Sequence, residues 1–248
     1  MSIFFLSDFG VRDHYVGVVE AVIEKIAPAA RVVHLTHGVP PQDLRNGSWQ
    51  LWAASPHLPD GSIVLAVVDP GVGSERRAVV VETERLTYVA PDNGLLEAAL
   101  AEQTVKRAHA LTDPAYRLRD VSATFHGRDI FGPAAAHLAS GVDPAAFGDA
   151  VDALAPLGLL PRDAAYGEVW TFDHFGNALT TLRAPEEAPT AITVSGRRVP
   201  WVETYASVGP GEALALRGSS GLVELSVRDG SAREALSLTE GAEVRLVP

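Results

Sequence analysis

The sequence predicts an α/β amino-terminal domain with a mostly parallel central sheet, followed by a smaller antiparallel β-barrel-like carboxy-terminal domain. Three observations predict it. Strand-like and helix-like segments alternate through residues 1–155. A stretch that loses periodicity and carries Pro156 and Pro161 then interrupts the chain. Beyond it, short alternating segments are separated by Gly, Pro and Ser turns. The boundaries that follow are residues 1–155 for the first domain, 156–165 for a linker and 166–248 for the second domain.

Each element has its own justification. Residues 3–6 form a short apolar run that meets the Asp8-Phe9-Gly10 turn, as a buried strand would. A helix is predicted from about His14. Its apolar positions Tyr15, Val18, Val19, Val22, Ile23 and Ile26 recur at helical spacing, Asp13 stands where an N-cap would, and Pro28 stops it. Strands follow at 32–35, 63–68, 78–82 and 87–90, with helices at 47–54, 95–101 and 130–139. This alternation is that of a parallel sheet covered by helices, a design that places ligands at strand ends. In the second domain, strands are predicted at 167–172, 191–194, 214–216, 222–227 and 244–247.

Composition excludes several chemistries. The 248 residues include no cysteine, which removes disulfides, thiolate nucleophiles and cysteine metal sites. Acidic residues outnumber basic ones 31 to 20, for a formal net charge of -11. With no Lys/Arg cluster, nucleic acid and anionic membrane surfaces are not expected partners. The apolar runs are too short to span a bilayer, and MSIFFLSDFG lacks the basic start of a signal peptide, so the expectation is a cytoplasmic protein. The histidines show no HExxH or comparable spacing, so neither a metal nor a cofactor is expected.

Four segments place charged residues beside glycines at strand ends: SDFGVRDHYVG, VVDPGVGSERR, APDNG and TFHGRDIFGP. Asp8 leaves a buried strand directly, where a carboxylate can accept both hydroxyls of a ribose diol. Asp69 ends the most hydrophobic strand, and a glycine-bearing loop leads from it to Arg76 and Arg77. The loop lacks the Lys-Ser/Thr ending of a phosphate-binding loop. Read alone, Asp69 is a loop carboxylate neutralised by an arginine. His126, set before a helical segment, offers an imidazole to the same cleft. Arg128 and Asp129 read as a local ion pair. In the second domain, FDHFGNALT supplies Asp173, Phe175 and Asn177 after a strand. These residues suit either a hairpin turn or an adenine site, which needs an amide and an apolar face. GSSG offers Ser219 and Ser220 as small donors, or an ordinary turn.

The ordered set SDFGVRDHYVG, THGVPPQD, VVDPGVGSERR, APDNG, TFHGRDIFGPAAAHLA, FDHFGN and GSSGLVELS spans nearly the whole chain. It resembles the S-adenosyl-L-methionine (SAM) hydrolases that form adenosine, also called SAM hydroxide adenosyltransferases, the relatives of fluorinase and chlorinase. The resemblance implies a homotrimer with sites between neighbouring subunits, and SAM, adenosine and L-methionine as ligands. It implies an Asp-Arg-His triad, matched here by Asp69, Arg76 and His126, in which Asp69 and His126 orient a water and take its proton while Arg76 stabilises hydroxide character. By the same likeness Asp8 holds the ribose hydroxyls, Asp13 and Asp173 lie near the methionine ammonium, Phe175 and Asn177 bind adenine, and Ser219 and Ser220 face the methionine carboxylate. Gln42 stands where the halogenases carry a tryptophan. Gly127 stands where they carry a serine, which argues against halide as nucleophile. The competing readings are a halide-using adenosyl transferase, a calcium-dependent nucleoside ribosidase, for which D-F-G-V-R-D has too few carboxylates, and a SAM or adenosine sensor without turnover.

Overall fold

The most apolar stretch of the chain, β3 (Ile63–Val67), is buried at every position. Its side chains alternate between two cores. Ile63, Leu65 and Val67 pack with Phe5, Ile23 and Phe131, whereas Val64 and Ala66 pack with Leu51, Tyr88 and Leu95. A strand covered on both faces carries the unbroken hydrophobic run seen in the sequence. The computed structural model describes residues 1–159 and 165–247 and falls into two units, Met1–Leu157 and Gly158–Pro248. Of the expected linker 156–165, residues 160–164 lie outside the described residues.

In the first unit the order is β1 (Ser2–Ser7), α1 (Tyr15–Ile26), β2 (Arg31–Thr36), α2 (Leu44–Ala54), β3, β4 (Ala78–Thr83), β5 (Thr87–Pro91), α3 (Glu97–Leu100), β6 (Val105–Ala110) and α4 (Gly132–Ala139). The sheet runs β2-β1-β3-β5-β4-β6. β1 pairs in parallel with β2 and β3, and β3 with β5, while β4 is antiparallel to both its neighbours. Because β2 and β3 flank β1 on opposite sides, the winding reverses there. Ligands of open α/β sheets sit at such a point, beyond the carboxyl ends of the strands. Ser7 is in register with Val67, so Asp8 and Asp69 leave the sheet side by side.

The start of α1 differs from the prediction. His14, not Asp13, occupies the N-cap position, with a helical backbone (φ -75°, ψ -4°) and no side-chain cap bond. A cap needs an extended backbone for its side chain to turn back on the first amides, and the chain is already helical at this point. Asp13 is left exposed. α2 begins earlier than predicted, because Asp43 caps it by accepting the Asn46 N–H at 2.9 Å. The expected helix at 130–139 is preceded by a π-helical turn, Gly127–Phe131.

The second unit contains β7 (Tyr166–Phe172), β8 (Ala178–Arg183), β9 (Ala191–Val194), β10 (Arg197–Pro200), β11 (Ala213–Arg217), β12 (Leu222–Val227), α5 (Ala232–Ala235) and β13 (Glu243–Val247). All pairings are antiparallel, in the order β10-β9-β13-β7-β8-β12-β11. Trp201, just after β10, bridges to Ala215 of β11, and the Val202 N–H donates to the Ala215 carbonyl at 2.9 Å. The two edges thus meet, and the sheet is barrel-like around Val169, Leu182, Ile192, Leu225 and Val244. Among the described residues no helix is long and apolar enough to cross a membrane.

Candidate active site

Asp69 follows β3 by two residues, and the loop after it turns back on itself. The Ser74 hydroxyl donates to the Gly71 carbonyl at 2.6 Å and accepts the Arg76 N–H at 3.3 Å. Gly73 adopts φ +78°, and a Cβ there would lie 2.4 Å from the Ala123 carbonyl oxygen, so only glycine lets this loop approach the segment before His126. Arg76 is thereby folded onto Asp69. Its Nε donates to Oδ1 at 2.9 Å and to Oδ2 at 3.0 Å, and its terminal nitrogen also donates to Oδ2. The same nitrogen bonds His126 Nδ1 at 2.7 Å. The Arg76 and Asp69 side chains are only 10% and 7% exposed. The sequence-predicted Asp69, Arg76 and His126 are therefore one contiguous cluster.

Two features fix His126. It stands at the start of the π-helical turn, a rare geometry that recurs at functional sites. Behind it Asp129, fully buried, accepts the Ser122 N–H at 2.8 Å and the Arg128 Nε at 2.6 Å, which confirms the local ion pair. Burial works against the Asp129 charge, yet Arg128 and Ser122 hold its carboxyl below the usual carboxylate range. Arg76 carries only donors, so Nδ1 of His126 must accept, and the neutral imidazole keeps its proton on Nε2. Burial first, and then the Arg76 charge, hold the His126 pKa below its ordinary value. The cluster thus presents a carboxylate, with the imidazole held between Arg76 and the Ser122 backbone.

Asp8 sits beside them, its Oδ2 accepting the Gln42 N–H at 2.8 Å. Gln42 reaches this position with φ 66°, a left-handed conformation rare outside glycine. Burial, reinforced by the nearby Asp69 charge and opposed by the Gln42 bond, raises the Asp8 pKa. Next to this crevice, Phe9, Tyr15 and Phe125 meet edge to face and line a pocket with His14, Ser122, Thr124 and Arg128. Asp13 does not line this pocket.

In the second unit, Asp173, Phe175 and Asn177 share the turn between β7 and β8. Asp173 folds that turn. Its Oδ1 accepts the N–H groups of Phe175 and Asn177, each at 2.9 Å, and its Oδ2 accepts the Asn177 side-chain amide at 2.9 Å. Phe175, 73% exposed, and Asn177 line a pocket of about 640 Å³ with Tyr205, Ala206 and residues 227–230. Tyr205 is a lining residue that the sequence reading missed, since Thr204-Tyr205 carries no more signal than an ordinary turn. Its hydroxyl donates to buried Glu224, which also accepts from Ser226 at 2.8 Å. Ser219 and Ser220 form the β11–β12 turn, closed by the Gly221 N–H on the Gly218 carbonyl at 2.9 Å, and do not line this pocket. The first unit holds another cavity of about 650 Å³ between α3, β6 and residues 150–156, lined by residues 91–94 of the APDNG segment and by none of the individually assigned site residues. Two of its three carboxylates are committed: Asp92 to Arg77 and the Ala155 N–H, Glu97 to the Leu157 N–H.

Comparison with known proteins adds the following. Residues 3–148 match the family model described as the SAM hydroxide adenosyltransferase N-terminal domain, and residues 167–245 match the corresponding C-terminal domain. The chain is 50% identical, over an alignment of 255 residues covering 99% of each protein, to a Thermus thermophilus protein named (R)-S-adenosyl-L-methionine hydrolase. It is 40% identical to a Salinispora tropica protein of the same name, over 98% of this chain and 96% of that one. A crystal structure of a conserved hypothetical protein from Thermus thermophilus superimposes with a TM-score of 0.89 at 48% identity, over 99% of both chains.

Proposed function

Because this chain belongs to the SAM hydroxide adenosyltransferase family, we propose that it hydrolyses S-adenosyl-L-methionine to adenosine and L-methionine. The observation that carries this reading is the Asp69–Arg76–His126 cluster beside Asp8 at the reversal point of the sheet. A water in this crevice attacks ribose C5′ in line with the sulfonium. The C5′–O bond forms, the C5′–S bond breaks, and sulfur keeps the electron pair as a neutral thioether. Such a leaving group needs neither a general acid nor a metal. Only the attacking oxygen has to be activated.

With Nδ1 engaged by Arg76, His126 cannot accept the water's proton there, and Asp69 is the group that takes it, while His126 holds the Arg76 guanidinium in place. Arg76 stabilises the hydroxide character that develops. Asp8 holds the ribose diol, and Phe175 and Asn177, with Tyr205, receive adenine. Asp13, Asp173, Ser219 and Ser220 are assigned to the methionine end. For Asp173 that role is shared with its turn-forming bonds. Gly127 supports water over halide, since a Cβ there would meet the Phe9 ring at 2.8 Å. We further propose a cytoplasmic homotrimer with sites between neighbouring subunits. The exposed apolar side chains of Val11 (87%) and Phe175 (73%) suit subunit contact.

The test is incubation of chelator-treated protein with SAM in halide-poor buffer, followed by chromatography, with Asp69→Ala and His126→Ala alongside. Adenosine and methionine from wild type, with both variants impaired, support the reading. SAM bound but left intact overturns it in favour of a sensor.

A further inference from the structure

Outside the triad, one polar chain, buried at Ser7 and His37 and reaching the surface at His34 and Glu20, has no place in the chemistry above. Ser7, fully buried at the end of β1, bonds His37 Nδ1 at 2.7 Å; His37 Nε2 bonds His34 Nδ1 at 2.7 Å; and His34 Nε2 lies 3.3 Å from Glu20 Oε1 on α1. For neutral rings, the Glu20 end sets the direction of the chain, and the Phe9 end is compatible with it. At one end the Phe9 N–H, which can only donate, reaches the Ser7 hydroxyl oxygen at 3.3 Å. At the other, the Glu20 carboxylate can only accept. Ser7 therefore donates to His37, His37 to His34 and His34 to Glu20. In this arrangement each ring carries its proton on Nε2, and each of these contacts pairs a donor with an acceptor. The edge-to-face contact of His37 with Phe5, centroids 4.7 Å apart, holds the ring in this plane.

Each end of the His37 residue grips the turn that carries Asp8. Its ring holds Ser7, the residue before Asp8, whose oxygen in turn holds the N–H of Phe9, the residue after it. The His37 carbonyl accepts the Gly10 N–H at 2.8 Å. The same loop then continues to Gln42, whose N–H binds the Asp8 carboxylate. We propose that His37, relayed through Ser7 and braced by His34 and Glu20, is a positioning residue that fixes the Asp8 carboxylate for bidentate capture of a ribose 2′,3′-diol. This inference rests on the ribose-holding role given to Asp8 above and adds the residues that enforce it. A packing role alone would make His37 matter equally for every ligand. A positioning role makes it matter only for ligands that carry the diol.

The experiment compares adenosine with 2′,3′-dideoxyadenosine by calorimetry on wild type, His37→Phe and Ser7→Ala, with thermal melts to verify folding. Wild type is expected to prefer adenosine by about tenfold or more, the worth of a hydrogen-bonded pair to a carboxylate. In His37→Phe that preference collapses toward unity while dideoxyadenosine affinity stays within about twofold of wild type. Ser7→Ala, the smaller change, follows the same pattern and carries the test if His37→Phe does not fold. Preference retained in the folded variants, or absent from wild type, overturns the inference. Diol preference lost in the variants of a protein that leaves SAM uncleaved upholds it while the hydrolase reading fails.

Discussion

Arg76 donates to His126 Nδ1 at 2.7 Å while the same guanidinium clasps Asp69, so one side chain sets the charge of the carboxylate's surroundings and the tautomer of the imidazole together. The cluster is therefore not a symmetric pair of bases. Removing Arg76 unpairs a largely buried carboxylate and frees the nitrogen that now accepts.

Arg76→Met is expected to raise the His126 pKa toward its ordinary value, because the adjacent positive charge is lost. NMR titration of the imidazole reads this directly. A pKa that stays put or falls would show that Arg76 does not control the ring.

Asp69→Ala should lower kcat by about 10²–10⁴, the range for loss of a positioned general base. His126→Ala should cost less, since a group that holds Arg76 in place is lost rather than the proton acceptor. Single-turnover assays with SAM rank the two variants. The reverse ranking would return the base role to the imidazole.

Gln42→Gly is expected to keep activity and raise stability by a few tenths of a kcal/mol or more, since glycine takes φ 66° without strain. Gln42→Pro cannot reach that φ and has no N–H for Asp8, so KM for SAM should rise about tenfold. Equal kinetics in the two variants would mean that the backbone bond to Asp8 is idle.

Gly127→Ser should destabilise the protein by about 1–3 kcal/mol, because the new Cβ meets the Phe9 ring tip at 2.8 Å. Phe9→Leu introduced alongside should recover most of that loss in urea unfolding. No recovery would place the strain elsewhere.

Acid should weaken the fold through His37. Burial first, and then the neighbouring His34, lower its pKa from 6.5 to about 4, so between those values the unfolded chain binds more protons than the folded one. Stability therefore falls as pH drops from 6.5 toward 4, by up to about 3 kcal/mol from this residue, and does not change with it above that window. Lowered pKa values at His126 and His137 act in the same direction. Melting temperatures across this range should fall less steeply for His37→Phe than for wild type.

What the sequence disclosed follows from what each residue has to do locally. β3 was legible because burial on both faces demands an unbroken apolar run. β6, VKRAHA, is an edge strand with a single buried position, so no alternation marked it. Asp69, Arg76 and His126 stood out because strand ends and glycine loops announce themselves in order along the chain. The Ser7–His37–His34–Glu20 chain did not, since it exists only once β1 and β2 pair in parallel and α1 packs beside them. Asp13 was misread as a cap because a good capping residue says nothing about whether the backbone beside it is already helical.

β13 is the last strand of the chain, yet it lies in the middle of its sheet, between β9 and β7. On the ribosome, the β10-β9 hairpin and the β7-β8-β12-β11 block can meet at the β10–β11 edges but stay open between β9 and β7 until β13 emerges. The first unit has its whole sheet in hand long before then. A premature stop at Glu243 would therefore open the second sheet at its middle, between β9 and β7, instead of trimming its edge.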